Sequence, residues 1–358
     1  MTDKLLSNEE IEKRLQIPTG KIRLVMDTDA KNEIDDQFAI SWALKSTDRF
    51  DVEAVYAAPF SHDCLKSYFS GKKQKEVKSS GISYTEEPWV GMEQSYEEIL
   101  KLYKLLDLSS EGKVFKGAGE YIQNTLKPIE SDATRDLIDR AMNGNDILYV
   151  AAFGAITNIA SAIMLEPKII NKIVVIWLGG QPLYFDHGIE FNLMQDVAAA
   201  QIIFNSGVPL IYIKCMNVAS LLSVSEDEIK AKLLGKSKIG DYLAKNVLET
   251  FSDVRTIEFS TKMLRNSYLK NREDQEEEYL NQFKSEYILW SRIIWDIATI
   301  AFLKNPTWTP SSLATSPILQ EDMEWGKVDD TRHKIRVVNY CHRDLIFGDL
   351  FHCLTKDA

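Results

Sequence analysis

Carboxylates crowd one short stretch of this chain. Asp27, Asp29, Glu33, Asp35 and Asp36 all fall within DTDAKNEIDD at positions 27–36. Acids this close repel one another and raise each other's pKa unless something offsets the charge. A hard divalent cation with oxygen ligands is the simplest offset. The bland alternative is a solvated acidic turn whose last members favour a helix N-terminus.

The flanking residues argue for the first reading. Residues 22–26 (IRLVM) are an apolar β-type run, and residues 37–44 (QFAISWAL) follow a helical pattern. The acids therefore sit where a strand gives way to a helix, the carboxyl edge at which open α/β sheets place their ligands. Residues 50–58 (FDVEAVYAA) read as a second buried strand closed by Pro59, which makes a βαβ unit and implies a parallel sheet. Residues 61–88 read as a loop, 95–106 and 133–142 as amphipathic helices, and 113–116 as a short strand. The helix at 133–142 ends at Asn143-Gly144-Asn145.

The unit then repeats in kind. Residues 146–153 (DILYVAAF) form a strand running into Gly154, followed by a helix at 157–165. A strand at 173–178 ends in Gly179-Gly180, a helix covers 197–204, and a strand covers 208–214. The β runs are largely apolar instead of alternating, as expected for strands covered on both faces. Ser225 and Glu228 form a capping box that opens a helix through Leu234. Residues 239–304 read as helical, broken by the acidic run at 273–278, with a helix at 290–304 stopped by Asn305-Pro306. A late strand at 333–340 and a closing segment at 349–354 complete the chain. The expected fold class is α/β: an open, mostly parallel, Rossmann-like sheet with helices on both faces and a helical elaboration in the C-terminal third. No repeat or linker divides it, so residues 1–358 read as a single unit with its core at roughly 22–306.

Composition narrows the partners. The chain has 358 residues, 45% of them hydrophobic and 27% charged, with a net charge of -11. That charge argues against nucleic acid or an anionic membrane as a partner and is compatible with a cation or a neutral small molecule. The N-terminal stretch is polar and lacks a signal-peptide core, and no apolar run reaches membrane-span length. Cys64, Cys215, Cys341 and Cys353 are scattered. A cytoplasmic protein with reduced thiols is expected.

In order and spacing, four stretches resemble the nucleoside hydrolases, the calcium-dependent nucleoside N-ribohydrolases. They are DTDAKNEIDD at 27–36, GAITNIASAI at 154–163, IEFNLMQDVAAAQIIFNSGVPL at 189–210 and IIWDIATIAFLKNP at 293–306. The resemblance implies hydrolysis of the N-glycosidic bond of a ribonucleoside or related riboside, through an oxocarbenium-like state attacked by water. It implies a calcium ion held by Asp29, Asp36, Asp296 and the backbone carbonyl of Phe153, with Asp29 also the base that accepts the water's proton. Asp35, Glu190 and Asn192 would hold the sugar. It further implies a homodimer or homotetramer.

Departures from the family pattern are as informative. The acidic loop is longer than the family's, so Asn32 and Glu33 become candidate substrate contacts. The Gly-Asn expected after the second strand is replaced by Pro59-Phe60-Ser61-His62, so Ser61 or His62 is the candidate for the missing ribose contact. Trp295 stands where many members carry a histidine that assists the leaving base. Tryptophan cannot protonate a purine but can stack on one. Family members that lack the histidine tend to favour purine nucleosides, so the resemblance implies a purine-type leaving group. His62 and His187 are the substitute acids to consider. Asp296 could instead be a structural acid paired with Arg292. Two other functions compete: a phosphatase of the haloacid-dehalogenase type, with Asp27 as nucleophile and magnesium as metal, and a relative that binds a nucleoside without turnover.

Overall fold

The computed structural model describes residues 6–16, 18–65, 83–250 and 291–356. Its centre is an eight-stranded sheet built from Ile22–Thr28 (β1), Phe50–Ala57 (β2), Val114–Lys116 (β3), Leu148–Ala152 (β4), Ile173–Leu178 (β5) and Leu210–Ile213 (β6), completed by Ser311–Thr315 (β9) and Lys334–Val338 (β10). Ser223–Ser225 (β7) and Ser291–Ile293 (β8) pair separately as an antiparallel ribbon. The sheet order is β3-β2-β1-β4-β5-β6-β10-β9. All its pairings are parallel except β9 against β10. This is the α/β class expected from the alternation of apolar runs and helical patterns.

Side chains alternate across each central strand, and both sides are buried. Leu24 and Met26 enter one core cluster while Val25 enters the other. Ala151 and Phe153 divide from Val150 and Ala152 in the same way, as do Ile176 and Leu178 from Val175 and Trp177. Each interior strand therefore supports two helical layers, which is why its sequence is largely apolar and does not alternate.

Among the parallel strands the order reverses once. The chain builds outward from β1 through β2 to β3, then returns to place β4 on the other flank of β1. Beyond the carboxyl ends of β1 and β4 the two following connections diverge to opposite sides, leaving a crevice. Asp29 lies just past β1, and Phe153 and Gly154 just past β4. The helix Asp36–Lys45 leaves the same end of β1.

Several expected boundaries are corrected. The helix expected at 95–106 runs from Pro88 to Leu105, with proline at its first turn. The missed signal is that proline is favoured there, where its absent N–H has no helical partner. The helix expected at 290–304 is instead strand β8, a turn, and a helix at Ile297–Lys304. Pairing of β8 with β7, and the Trp295 N–H donating to an Asp35 carboxylate oxygen at 3.1 Å, take the backbone groups that a longer helix would have used. The antiparallel edge strand β9 was not foreseen, and the closing segment is part of a helix at Arg343–Thr355. The acidic run at 273–278 lies outside the described residues, as does much of the 61–88 loop. Among the described residues, no helix is long and apolar enough to cross a membrane.

Candidate active site

The carboxylates converge. Oxygens of Asp35, Asp36 and Asp296 lie within 4.8 Å of one another, and all three side chains are buried. Asp29 is buried beside them, close enough that its charge acts on Asp296 and those of Asp35 and Asp36 act on it. Asp35, which the resemblance gives to the sugar, thus belongs to the tight group with Asp36 and Asp296.

Local structure explains the placement. Asp29 accepts Asn32 N–H at its backbone carbonyl (2.7 Å), which folds the loop back on itself. Gln37 Nε2 donates to the carbonyls of Ala30 (2.6 Å) and Glu33 (3.1 Å), holding the loop against the start of its helix. Thr28 Oγ1 donates to Asp36 Oδ1. Asp296 is the N-cap residue of the helix Ile297–Lys304, so it presents its carboxylate at the end of a helix and not along its side.

β4 closes the opposite wall. Phe153 N–H donates to the Asp27 carbonyl at 2.9 Å, extending the β1–β4 ladder to the rim of the crevice. A Cβ on Gly154 would stand 3.1 Å from Asp29 N and 3.3 Å from Asp29 Cβ, so glycine lets this backbone approach Asp29. The Phe153 carbonyl belongs to the same peptide.

Burial dominates the electrostatics. It raises the pKa of Asp29, Asp35 and Asp296 well above the carboxylate range, and the neighbouring aspartates raise them further. Burial also raises Asp36 to about 7, against opposing hydrogen bonds from Thr28 and Asp296. Among the described residues, no lysine or arginine forms an ion pair with any of the four. Asp29 Oδ2 is buried without a hydrogen-bond partner. An all-oxygen, like-charged, desolvated donor set with an unsatisfied oxygen fits a hard divalent cation and does not suit zinc.

Glu190 caps the helix Phe191–Gln195 and accepts from Gly180 N–H (2.7 Å) and Leu193 N–H (3.1 Å). Burial pushes it to about 7 against those donors. Asn192 Nδ2 donates to the Leu178 carbonyl at 3.0 Å, at the end of β5. Both therefore stand at the same edge of the sheet as the aspartates. Trp295 is partly buried and packs on the core cluster shared by Leu24 and Met26.

Other expectations change. Glu33 carries an ion pair to Arg292 Nη2 at 2.9 Å, so Arg292 is the partner of Glu33 and not of Asp296. Asn32 is buried. His62 is desolvated, with its pKa pushed down to about 4 and Nδ1 engaged by Thr85, which makes it a poor proton donor. His187 Nδ1 accepts the Ile189 N–H at 3.2 Å. Ser61 is buried, its N–H donating to Gln195 Oε1 (2.9 Å) and its hydroxyl accepting from Tyr121 (3.3 Å). Gln195 and Tyr121 escaped sequence reading because nothing local marks a contact made across 134 or 60 residues. Asp27 is fully buried and receives Asn158 Nδ2 at 2.7 Å, so it supports the loop and is not an accessible nucleophile.

A model of the inosine-uridine preferring nucleoside hydrolases matches residues 24–344. The chain belongs to that family. It is 33% identical over 104 residues to the pyrimidine-specific ribonucleoside hydrolase RihB of Escherichia coli O1:K1 / APEC, a match covering 28% of this chain and 31% of that relative. The match thus spans about a third of that curated relative. Among solved structures, a plant nucleoside hydrolase (PpNRh1) superposes with a TM-score of 0.64 at 17% identity, covering 94% of this chain and 99% of the other. The purine-preferring ribonucleoside hydrolase of Gardnerella vaginalis gives 0.64 at 18% identity, covering 93% and 98%. At these identities the superpositions establish the nucleoside hydrolase fold.

Proposed function

We propose that this protein hydrolyses the N-glycosidic bond of a purine-type ribonucleoside or related N-riboside. The observation that carries the reading is the buried group of Asp29, Asp35, Asp36 and Asp296 at the point where the sheet order reverses. Asp29, Asp36, Asp296 and the Phe153 carbonyl would hold a calcium ion. Calcium, when bound, supplies the charge that lowers the pKa of a water and anchors sugar hydroxyls.

The protein's own groups do the rest. Asp29, with its otherwise unpaired Oδ2, takes the proton as water attacks the anomeric carbon. Asp35 on one side and Glu190 with Asn192 on the other hold ribose hydroxyls, so the oxocarbenium-like state forms in a fixed orientation. Trp295, at the edge of the aspartate group, stacks on the leaving base; an indole favours the larger purine face. Asn32 is buried in the longer loop, where its N–H donates to the Asp29 carbonyl.

The test is ribose release from inosine, adenosine, uridine and cytidine, with and without a chelator. Hydrolysis abolished by the chelator and restored by calcium, and Asp29→Asn losing turnover with its circular dichroism intact, supports the assignment. Background rates on all four substrates at saturating calcium would remove ordinary nucleosides.

A further inference from the structure

Arg292 is buried, only 4% exposed, yet its guanidinium is mostly unused. Nη2 donates to Glu33, while Nε and Nη1 are buried without a hydrogen-bond partner. Leaving one buried donor unpaired costs about 1–3 kcal/mol, and more when the donor is charged. Arg49 and Arg332 bond carbonyl oxygens through their guanidinium groups, and Arg14 leaves one buried nitrogen unpaired where Arg292 leaves two. The unused donors call for an acceptor that the fold itself does not supply.

Its position says where that acceptor belongs. Arg292 lies on β8, three residues before Trp295, whose N–H is bonded to Asp35. Its partner Glu33 is two residues before Asp35. The guanidinium therefore stands on the segment that leads into Trp295, close enough to Asp35 to oppose weakly the rise imposed there by burial, Asp36 and Glu33.

The surrounding charge selects the kind of acceptor. Glu33 already balances the guanidinium, and the aspartates stand close by. A group ionised from the outset, such as a phosphate, would meet repulsion at this spot. A neutral group that becomes negative only as a bond breaks would not, because the buried cation gains most from charge that appears in the transition state.

We infer that Arg292 is a catalytic residue of the leaving-group side, donating through its unpaired N–H groups to the departing base. The inference rests on the riboside-hydrolase reading above. As the C–N bond breaks, its electron pair passes to the base nitrogen, water oxygen bonds to the anomeric carbon, and Asp29 takes the water's proton. Arg292 holds the charge on the base without giving up a proton, since a guanidinium stays ionised. The base then takes its proton from solvent water, and Asp29 returns its own to solvent. This supplies electrostatically what the histidine replaced by Trp295 would supply by protonation.

The experiment compares kcat on inosine, whose base is a poor leaving group, with kcat on p-nitrophenyl riboside, whose leaving group needs little help. Arg292→Gln is expected to lose about 100-fold or more on inosine, in the range of a leaving-group catalyst, and only several-fold on the phenolate substrate. Arg292→Lys, which keeps the charge and the fold, is expected to lose about 10-fold on inosine alone. Equal losses on both substrates, or no loss on either, would overturn the inference. Wild-type protein inert toward both would instead remove the riboside-hydrolase reading beneath it.

Discussion

Removing the cation should leave a protein that dislikes neutral pH. Oxygens of Asp35, Asp36 and Asp296 lie within 4.8 Å of one another. At an effective dielectric of 20, two unit charges at that distance repel by about 3 kcal/mol, so three fully ionised carboxylates would carry about 10 kcal/mol of repulsion. The metal-free fold escapes by binding protons. Asp36, raised by burial from 3.8 to about 7, alone represents about 4 kcal/mol at roughly 1.4 kcal/mol per pKa unit, an upper figure because water entry into an empty site would reduce it. The sign follows from the direction of the shift. Below about pH 4 the carboxyl is protonated in both the folded and unfolded chain, and no cost arises. As pH rises toward 7 the unfolded chain ionises freely and the folded one does not, so metal-free stability falls across that window. Calcium should reverse the fall by displacing the protons. Titration calorimetry of calcium into chelator-treated protein at pH 6.5, in buffers of different ionisation enthalpy, should show on the order of one or two protons released per ion. Apparent affinity should then rise about tenfold per pH unit for each proton. No proton release, with affinity flat from pH 5.5 to 8, would refute the argument that these acids share a desolvated cation site.

Other outcomes follow from the packing. Gly154→Ala places a methyl 3.1 Å from both Asp29 N and Ala58 Cβ, and should cost about 1–3 kcal/mol in urea melts while lowering kcat through displacement of Asp29. Asn158→Ala strips Asp27 of its 2.7 Å donor inside the core and should destabilise by about 1–3 kcal/mol; a change below a few tenths would mean that water serves as well. Trp295→Ala should raise KM for a purine nucleoside more than for a pyrimidine one, by several-fold, with calcium affinity little changed; a uniform change would argue against stacking.

The fold was readable because its strands bury both faces. Runs such as IRLVM and LYVAA are apolar on both faces apart from Arg23, and a sheet covered twice accommodates them. The crowding of Asp27 to Asp36 was readable as chemistry because the acids fall where an apolar strand gives way to a helix, the edge at which open α/β sheets place ligands. The partners of those acids were not. Glu33 meets Arg292 across 259 residues of chain, and no local pattern encodes that meeting. The segment before Asp296 misled for a related reason. Its apolar residues suit helix or strand equally, and a tertiary bond from Trp295 to Asp35 decides between them.

The hydrogen bond from Trp295 to Asp35 spans 260 residues. At 5–20 residues per second, synthesis takes roughly 13–50 s to travel that distance. During that interval the nascent chain carries Asp29, Asp35 and Asp36 with no Asp296 to complete the group. The pairings among β1 to β6 involve nothing beyond residue 213, but part of the layer that covers one face of these strands comes later, from the helices Ile297–Lys304 and Arg343–Thr355. A cation held as proposed would therefore bind late, and would reward only a molecule whose last third has come back to meet its first.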